Sequence, residues 1–178
     1  MIRPWHVTAL CALLAASPAA HASDESQTRL GDALSYVLPA ATLGTELWRG
    51  DKTGAGQFTT SFLVTMGATE VLKRTTGIER PDGSNDESFP SGHAARAFAA
   101  ATYVHRRHGL SNAWPLYAMA TYVGYTRVEA NRHRWSDVFG AAAVSAASSW
   151  WLVDPKQQPP GVAGTSRGIS IGFTMPLR

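Results

Sequence analysis

Three short clusters in this 178-residue chain carry side chains suited to holding or attacking a phosphate group: Lys73 with Arg80-Pro81, Pro90-Ser91-Gly92-His93, and Arg127 with His133 and Asp137. A phosphate monoester carries about two negative charges near neutral pH, so a partly dry site for it needs several fixed cations. Arginine can grip two of its oxygens at once, while lysine acts as a point charge. Taken singly, each of these cations would read as an ordinary solvated surface residue, Lys73 above all.

Pro90-Ser91-Gly92, followed by an alanine-rich run, reads as a helix start. The free N–H groups and positive dipole end there form an anion site, and Gly92 lets a ligand approach the backbone closely. Ser91 can donate a hydroxyl hydrogen bond to the anion, although serine at this position is commonly just a cap. In Arg127-x5-His133-x3-Asp137 the last two residues stand four apart, about one turn if the segment is helical. Asp137 can then accept a hydrogen bond from one ring nitrogen of His133 and leave the other lone pair free as a nucleophile. His93, with an ordinary pKa of about 6.5, is placed to protonate a leaving oxygen at mildly acidic pH. Metal catalysis through His93, His133, Asp137 and Asp82 or Asp86 is the competing chemistry, and the three nearby cations oppose it. No metal and no cofactor is expected.

Five helical segments must position these groups: Gly31 to Leu47, Gln57 to Arg74, Gly92 to His108, Asn112 to Tyr125 and Arg134 to Val153. A loop from Thr75 to Pro90 separates the second from the third. His105-Arg106-Arg107-His108 places cations at the carbonyl end of the third helix, where Gly109 is expected to take a left-handed cap, so His105 and His108 read as structural. The fold class expected is all-α, a bundle of about five helices. The alternation of Ile169, Ile171, Phe173, Met175 and Leu177 with smaller or polar residues suggests a short C-terminal strand or an extended tail. The uncharged stretches Gly54 to Thr69, Gly109 to Thr126 and Val138 to Val153 are diluted by Gly, Ser, Thr and Ala, unlike the roughly 20 predominantly apolar residues of a spanning helix. Trp48, Trp114, Trp135, Trp150 and Trp151 are expected to fill the core, with an interfacial belt as the alternative.

The two ends of the chain read differently. Met1-Ile2-Arg3, the apolar run Val7 to Ala16 and Ala20-His21-Ala22 have the three parts of an export signal, so residues 1–22 are expected to be removed. The helical domain then covers 23–153, and a proline-containing linker and tail cover 154–178. The only cysteine, Cys11, would leave with the leader, and the mature protein would rely on packing without disulfides. Loss of Arg3 leaves 15 basic against 13 acidic residues, a balance too mild for a nucleic-acid partner. The expected location is outside the cytoplasm, in the periplasm, with room for peripheral membrane contact. The oligomeric state is not encoded in any pattern here.

Lys73-x6-Arg80-Pro81, Pro90-Ser91-Gly92-His93 and Arg127-x5-His133-x3-Asp137, in this order, resemble the three-part signature of the type 2 phosphatidic acid phosphatase superfamily. That group includes bacterial acid phosphatases, lipid phosphatases and vanadium-dependent haloperoxidases. The resemblance implies an all-helical bundle in which His133 forms a phosphohistidine, Asp137 orients it and His93 protonates the leaving group. Lys73, Arg80, Ser91, Gly92 and Arg127 would hold the phosphate oxygens. The signature's usual Ser-Arg reads Thr126-Arg127 here, which retains the hydroxyl.

The signature fixes the phosphate and leaves open what is attached to it. The leader and the lack of apolar spans favour a soluble acid phosphatase acting on small phosphate esters. The alternative is a lipid phosphatase at the membrane surface, acting on phosphatidate, phosphatidylglycerophosphate or isoprenoid phosphates. A haloperoxidase is a minor alternative. A non-catalytic anion-binding protein would have no need of His93, His133 and Asp137 together.

Overall fold

The structure, a computed structural model, describes residues 24–156. The expected leader and the alternating segment Ile169 to Leu177 lie outside the described residues. The chain forms five helices: α1 (Asp24–Trp48), α2 (Lys52–Thr76), α3 (Gly92–His108), α4 (Leu110–Glu129) and α5 (Trp135–Leu152). Among the described residues there is no strand.

The first two helices begin well ahead of their expected starts. Gly54 and Gly56 look like breakers, yet both are helical, and at Gly54 the neighbours leave no room for a side chain. A Cβ there would lie 2.7 Å from both Arg107 Nε and Glu46 Oε2. Asp51 caps α2, accepting from the Gly54 N–H at 2.8 Å. Gly77 ends α2 in the left-handed conformation, φ 55° and ψ 34°. Gly109, expected in that role after α3, instead has φ 89° and ψ 161°. Its positive φ still suits glycine, but its extended ψ turns the chain at once into α4.

Pairs of contacts fix the helix directions. Asp32 meets His93 near the starts of α1 and α3, and Glu46 meets His108 near their ends, so these two helices run parallel. Ser91 N–H donates to the Asp137 carbonyl at the start of α5, and Arg106 reaches Val153 at its end, so α5 runs with α3 as well. Lys73, near the end of α2, lies beside Gly92, and Asp51 pairs with Arg107 at the other end, so α2 runs against α3. Arg127, late in α4, binds Asp32, early in α1, so α4 runs the same way as α2. Three helix N-termini and two C-termini thus meet at one end of the bundle. The N-terminal ends carry the positive poles of their dipoles.

Helix α3 is the central element and packs on each of the other four. Its Ala94, Ala95, Ala97, Ala99, Ala100 and Ala101 are buried, which lets the surrounding helices come close. Thr102 and Ser145 continue this small-residue seam, with Thr102 Oγ1 2.9 Å from Ser149 Oγ. Two glycines set further close approaches. A Cβ on Gly31 would fall 2.1 Å from Thr126 Oγ1, and one on Gly124 would fall 2.5 Å from Val138 Cγ1.

The far end of the bundle is tied by charge. Arg107 donates to both carboxylate oxygens of Asp51 and to Gln57, while Lys156 also reaches Asp51. His108 Nε2 lies 2.6 Å from Glu46, and His105 packs against Tyr117 and Trp150.

The tryptophans do not fill the core. Trp48, Trp114, Trp135, Trp150 and Trp151 are all exposed, Trp151 to 89%. The alanine-rich interior is too narrow to accept an indole, and the large side chains are displaced outwards. Helices α1, α2, α4 and α5 each show large apolar residues on the surface, while α3 shows none. No helix among the described residues is long and apolar enough to cross a membrane.

Candidate active site

The residues singled out in the three clusters converge at the end where α1, α3 and α5 begin. His133 lies just ahead of α5 in the turn from α4, so the four-residue step to Asp137 spans the helix start. The turn passes through Asn131 at φ 56°, and both Arg132 and His133 donate their N–H groups to the Arg127 carbonyl. Asp137 occupies the first turn of α5 and accepts from the Arg134 N–H at 2.9 Å. The same Oδ2 accepts from Ser88 Oγ and lies 3.3 Å from His133 Nδ1. One carboxylate therefore starts a helix, holds the α2–α3 loop through Ser88 and turns the histidine ring.

The electrostatics fix the tautomer. Burial opposes the charge on Asp137, but hydrogen bonds from Ser88, from the Arg134 backbone and from His133 outweigh it and hold the carboxyl below its ordinary range. An ionised Asp137 only accepts, so Nδ1 of His133 is the protonated nitrogen and Nε2 keeps its lone pair. Burial, with the Lys73 and Arg80 cations beside it, pushes His133 from 6.5 down to about 4. The imidazole is thus neutral over most of the acidic range.

The three cations come from three different elements. Lys73, on the last turns of α2, is buried and donates to the Glu87 carbonyl at 2.7 Å. Burial and the neighbouring Arg80 lower its pKa. Arg80 sits in the loop, its backbone N–H bonded to the Asn85 carbonyl. The loop is further held by Ser88 N–H on the Ile78 carbonyl and by Arg134, whose guanidinium reaches the Glu79 carbonyl. Arg127, near the end of α4, donates to Asp32 at 2.7 Å and to the Thr28 carbonyl at 2.7 Å.

Several donors at this end have no protein partner. Arg80 Nε, Ser91 Oγ and Arg127 Nε are buried without a hydrogen bond. Ser91, the N-cap of α3, makes no side-chain cap bond, so its hydroxyl is not spent on the helix. Gly92, with only Lys73 Cε within 4 Å of where a Cβ would stand, keeps the helix start open to a ligand. Buried polar atoms are nearly always paired in folded proteins. An anion would satisfy these donors together.

His93, one residue into α3, has its Nε2 2.9 Å from Asp32 Oδ1. Burial and the cations Arg96 and Arg127 push it from 6.5 to about 4, against the pull of Asp32. Bound phosphate would oppose those cations and raise it, placing a proton where a leaving oxygen needs one.

Three participants were not foreseen in the sequence. Asp32 bridges His93 and Arg127 from 61 and 95 residues away, a separation that no local pattern marks. Ser88 lies just outside the Pro90-Ser91-Gly92-His93 cluster. Arg96 follows His93 by three residues on the same helix and was visible in principle by helical spacing. Asp82, considered as a metal ligand, instead pairs with Arg132 at 3.2 Å. Among the described residues no three His, Asp or Glu side chains are grouped as metal ligands would be.

Residues 54–157 match the PAP2 superfamily, a span that contains every one of the cluster residues. The chain belongs to this superfamily of phosphatases. Similar bacterial proteins include the lipid A 1-phosphatase of Porphyromonas gingivalis, 40% identical over 88 residues, which are 46% of this chain and 20% of that protein. The lipid A 4'-phosphatase of Helicobacter pylori is 33% identical over 115 residues, 58% of each protein. The chain therefore spans less than two thirds of the length of either relative. The crystal structure of Aquifex aeolicus LpxE superposes with a TM-score of 0.64 at 23% identity, covering 82% of this chain and 93% of that one, which shows that the two share a fold.

Proposed function

We propose that this PAP2 protein is a metal-independent lipid phosphate monoesterase that works at a bilayer surface through a phosphohistidine on His133. The observation carrying the chemistry is the pairing of a neutral, Asp137-oriented His133 with buried donors on Arg80, Ser91 and Arg127 that have no protein partner. The lipid reading rests on two supports. Both characterised relatives are named for removing phosphate from lipid A. The outer helices also carry large exposed apolar side chains, among them Trp48, Trp114 and Trp151. This replaces the soluble acid phosphatase expected from the sequence with its lipid alternative.

In the first step the Nε2 lone pair of His133 forms a bond to phosphorus as the bond from phosphorus to the leaving oxygen breaks. The electron pair departs with that oxygen, which takes a proton from His93. Lys73, Arg80, Arg127, Ser91 and the N–H groups at the start of α3 stabilise charge on the three equatorial oxygens. In the second step His93, now neutral, takes a proton from water. The oxygen attacks phosphorus and the N–P bond breaks, releasing phosphate. Asp32 positions His93 and Arg127 relative to each other, and Asp137 balances the charge on His133.

The test compares kcat/KM in EDTA for p-nitrophenyl phosphate and for detergent-dispersed phosphatidate, with His133→Ala as control. The expected result is a preference for the lipid by about a hundredfold, and loss of turnover in the variant by at least about a thousandfold. A preference for the soluble ester would return the protein to a general phosphatase. Activity surviving in His133→Ala would remove the phosphohistidine.

A further inference from the structure

The loop between α2 and α3 carries Arg80, and the turn between α4 and α5 carries His133. Two arginines flank that histidine, and each reaches across to a residue close to Arg80. Arg132 Nη1 lies 3.2 Å from Asp82 Oδ2, two residues after Arg80. Arg134 donates to the Glu79 carbonyl, one residue before it, at 2.8 Å. Arg132 also donates its backbone N–H to the Arg127 carbonyl at 3.0 Å. The nucleophile and two of the proposed phosphate-holding cations are thus joined through one short set of contacts. Neither guanidinium has a place in the two-step mechanism.

Arg80 needs such a frame. Its Nε is buried without a partner, and no group among the described residues accepts a hydrogen bond from its guanidinium. The loop backbone, rather than a partner, therefore decides where the side chain points. That backbone is closed by the Arg80 N–H on the Asn85 carbonyl, the Gly83 N–H on the Arg80 carbonyl and the Ser84 N–H on Asp82 Oδ1. One oxygen of Asp82 shapes the loop, and the other takes the partner across the gap. Hydrogen bonds from Ser84, with Arg132 and Arg80 nearby, hold this carboxyl below its ordinary range, so it stays ionised at mildly acidic pH. An exposed ion pair is ordinarily worth little. A carboxylate beside an anion site also repels the anion, so Asp82 would be out of place here if it only decorated the surface. It makes no ion pair with Arg80 and turns to Arg132 instead.

We infer that Arg132 and Arg134 are positioning residues that clamp the α2–α3 loop to the nucleophile turn, so that Arg80 faces the phosphate oxygens when His133 faces phosphorus. The inference rests on the proposed roles of Arg80 and His133. Asp82 is the loop's half of the clamp, and its repulsion of the anion is outweighed by the fixed direction it gives Arg80.

Phosphate binding tests the clamp without turnover. Asp82→Asn keeps an acceptor for the Ser84 N–H but turns an amide donor towards Arg132. If Asp82 acted only through its charge, its removal would tighten the binding of phosphate. The clamp requires the opposite sign. Isothermal titration with inorganic phosphate is expected to show binding about two- to fivefold weaker in Asp82→Asn, with similar losses in Arg132→Gln and Arg134→Gln. Asp82→Asn combined with Arg132→Gln should lose no more than the worse single variant, and Arg132→Lys should keep part of the affinity. Arg80→Gln should itself weaken binding, and in that background Asp82→Asn should cause no further loss, because the clamp acts through Arg80. Tighter binding in Asp82→Asn, or an equal loss with and without Arg80, would overturn the clamp and leave the phosphate site standing. Unchanged affinity in Arg80→Gln would remove Arg80 from the phosphate site, and the clamp would fall with it.

Discussion

A nucleophilic histidine must be neutral and an acid histidine must be charged, and both must be true in one small volume. Here burial and cations depress His133 and His93 alike, each to about 4, so the free protein holds two neutral imidazoles above that pH. Substrate must break the symmetry. A phosphate dianion offsets Arg127 and Arg96 around His93, whereas His133 is committed to Asp137 and bonds phosphorus itself. NMR titration of the two rings should therefore give values near 4 in the free protein and a clear rise for His93 when phosphate is added. If His93 fails to move, its role as acid falls. The same shifts bear on stability, with a sign opposite to that of a histidine gaining an ion-pair partner. The folded-state values lie below the ordinary 6.5, so the unfolded chain binds protons first and stability is lost as pH falls from 6.5 towards 4. The loss is about 1.4 kcal/mol per pH unit for the well-buried His133, or about 3 kcal/mol in total, and it levels off below 4. Urea midpoints at pH 7 and pH 4.5 would measure it, and added phosphate should reduce it. Asp32→Asn belongs to the same account: it removes the one carboxylate that raises His93, so the alkaline limb of kcat should move to lower pH as well as fall in height. The three clusters made most of this chemistry legible in the sequence because each is local. Asp32 was not, because its partners are joined only when α1 folds back along α3 and α4.

At the scale of elements, the site depends on how closely helices approach. Gly31 sits against Thr126, one residue before each member of the Asp32–Arg127 pair, so the contact sets the distance between the carboxylate and the guanidinium. Gly31→Ala would place a methyl group 2.1 Å from Thr126 Oγ1, and the helices must separate to admit it. Overpacking of this kind costs about 1–3 kcal/mol in stability. A displacement of about 1 Å at a catalytic group can cost about a hundredfold in rate. Gly31→Ala is accordingly expected to lower kcat/KM by tenfold or more in protein that still unfolds cooperatively. Adding Thr126→Ala should recover part of the loss, because it removes the nearest atom but leaves the residue 126 Cβ at 3.0 Å. No recovery in the double variant would mean that the hydroxyl has a role of its own. The five helices and their order were readable from apolar periodicity and from the Gly109 break. The starts of the first two were not: a Gly-Ala-Gly segment resembles a loop until Arg107, Glu46 and Tyr103 are seen packed around Gly54.

For the whole molecule, the narrow alanine core and the apolar exterior are two sides of one property. Small residues on α3 draw the other helices inward, and the volume that tryptophans would fill is not there. Sequence composition placed those rings in the core because burial is the usual fate of large apolar groups, and only the packing shows that this bundle has no space for them. Exposed apolar surface on this scale is costly in water and marks a contact surface. At the active-site end it includes Trp135 and Phe139, 41% and 69% exposed, with ring centres 6.1 Å apart on the first turns of α5. Both lie close in the chain to His133 and Asp137. If this surface meets a bilayer, it brings the lipid phosphate to the site by insertion of the rings. Burying two such side chains contributes about 3 kcal/mol, or about a hundredfold in surface affinity. Trp135→Ser combined with Phe139→Ser should then raise the vesicle concentration needed for half-maximal hydrolysis of phosphatidate by about ten- to a hundredfold, and weaken cosedimentation with the vesicles in parallel. Hydrolysis of p-nitrophenyl phosphate, which needs no surface, reports on the chemistry alone and should change by far less. A matched loss on both substrates would place the two rings in support of α5 and His133, and would leave the bilayer to be met by another face of the bundle.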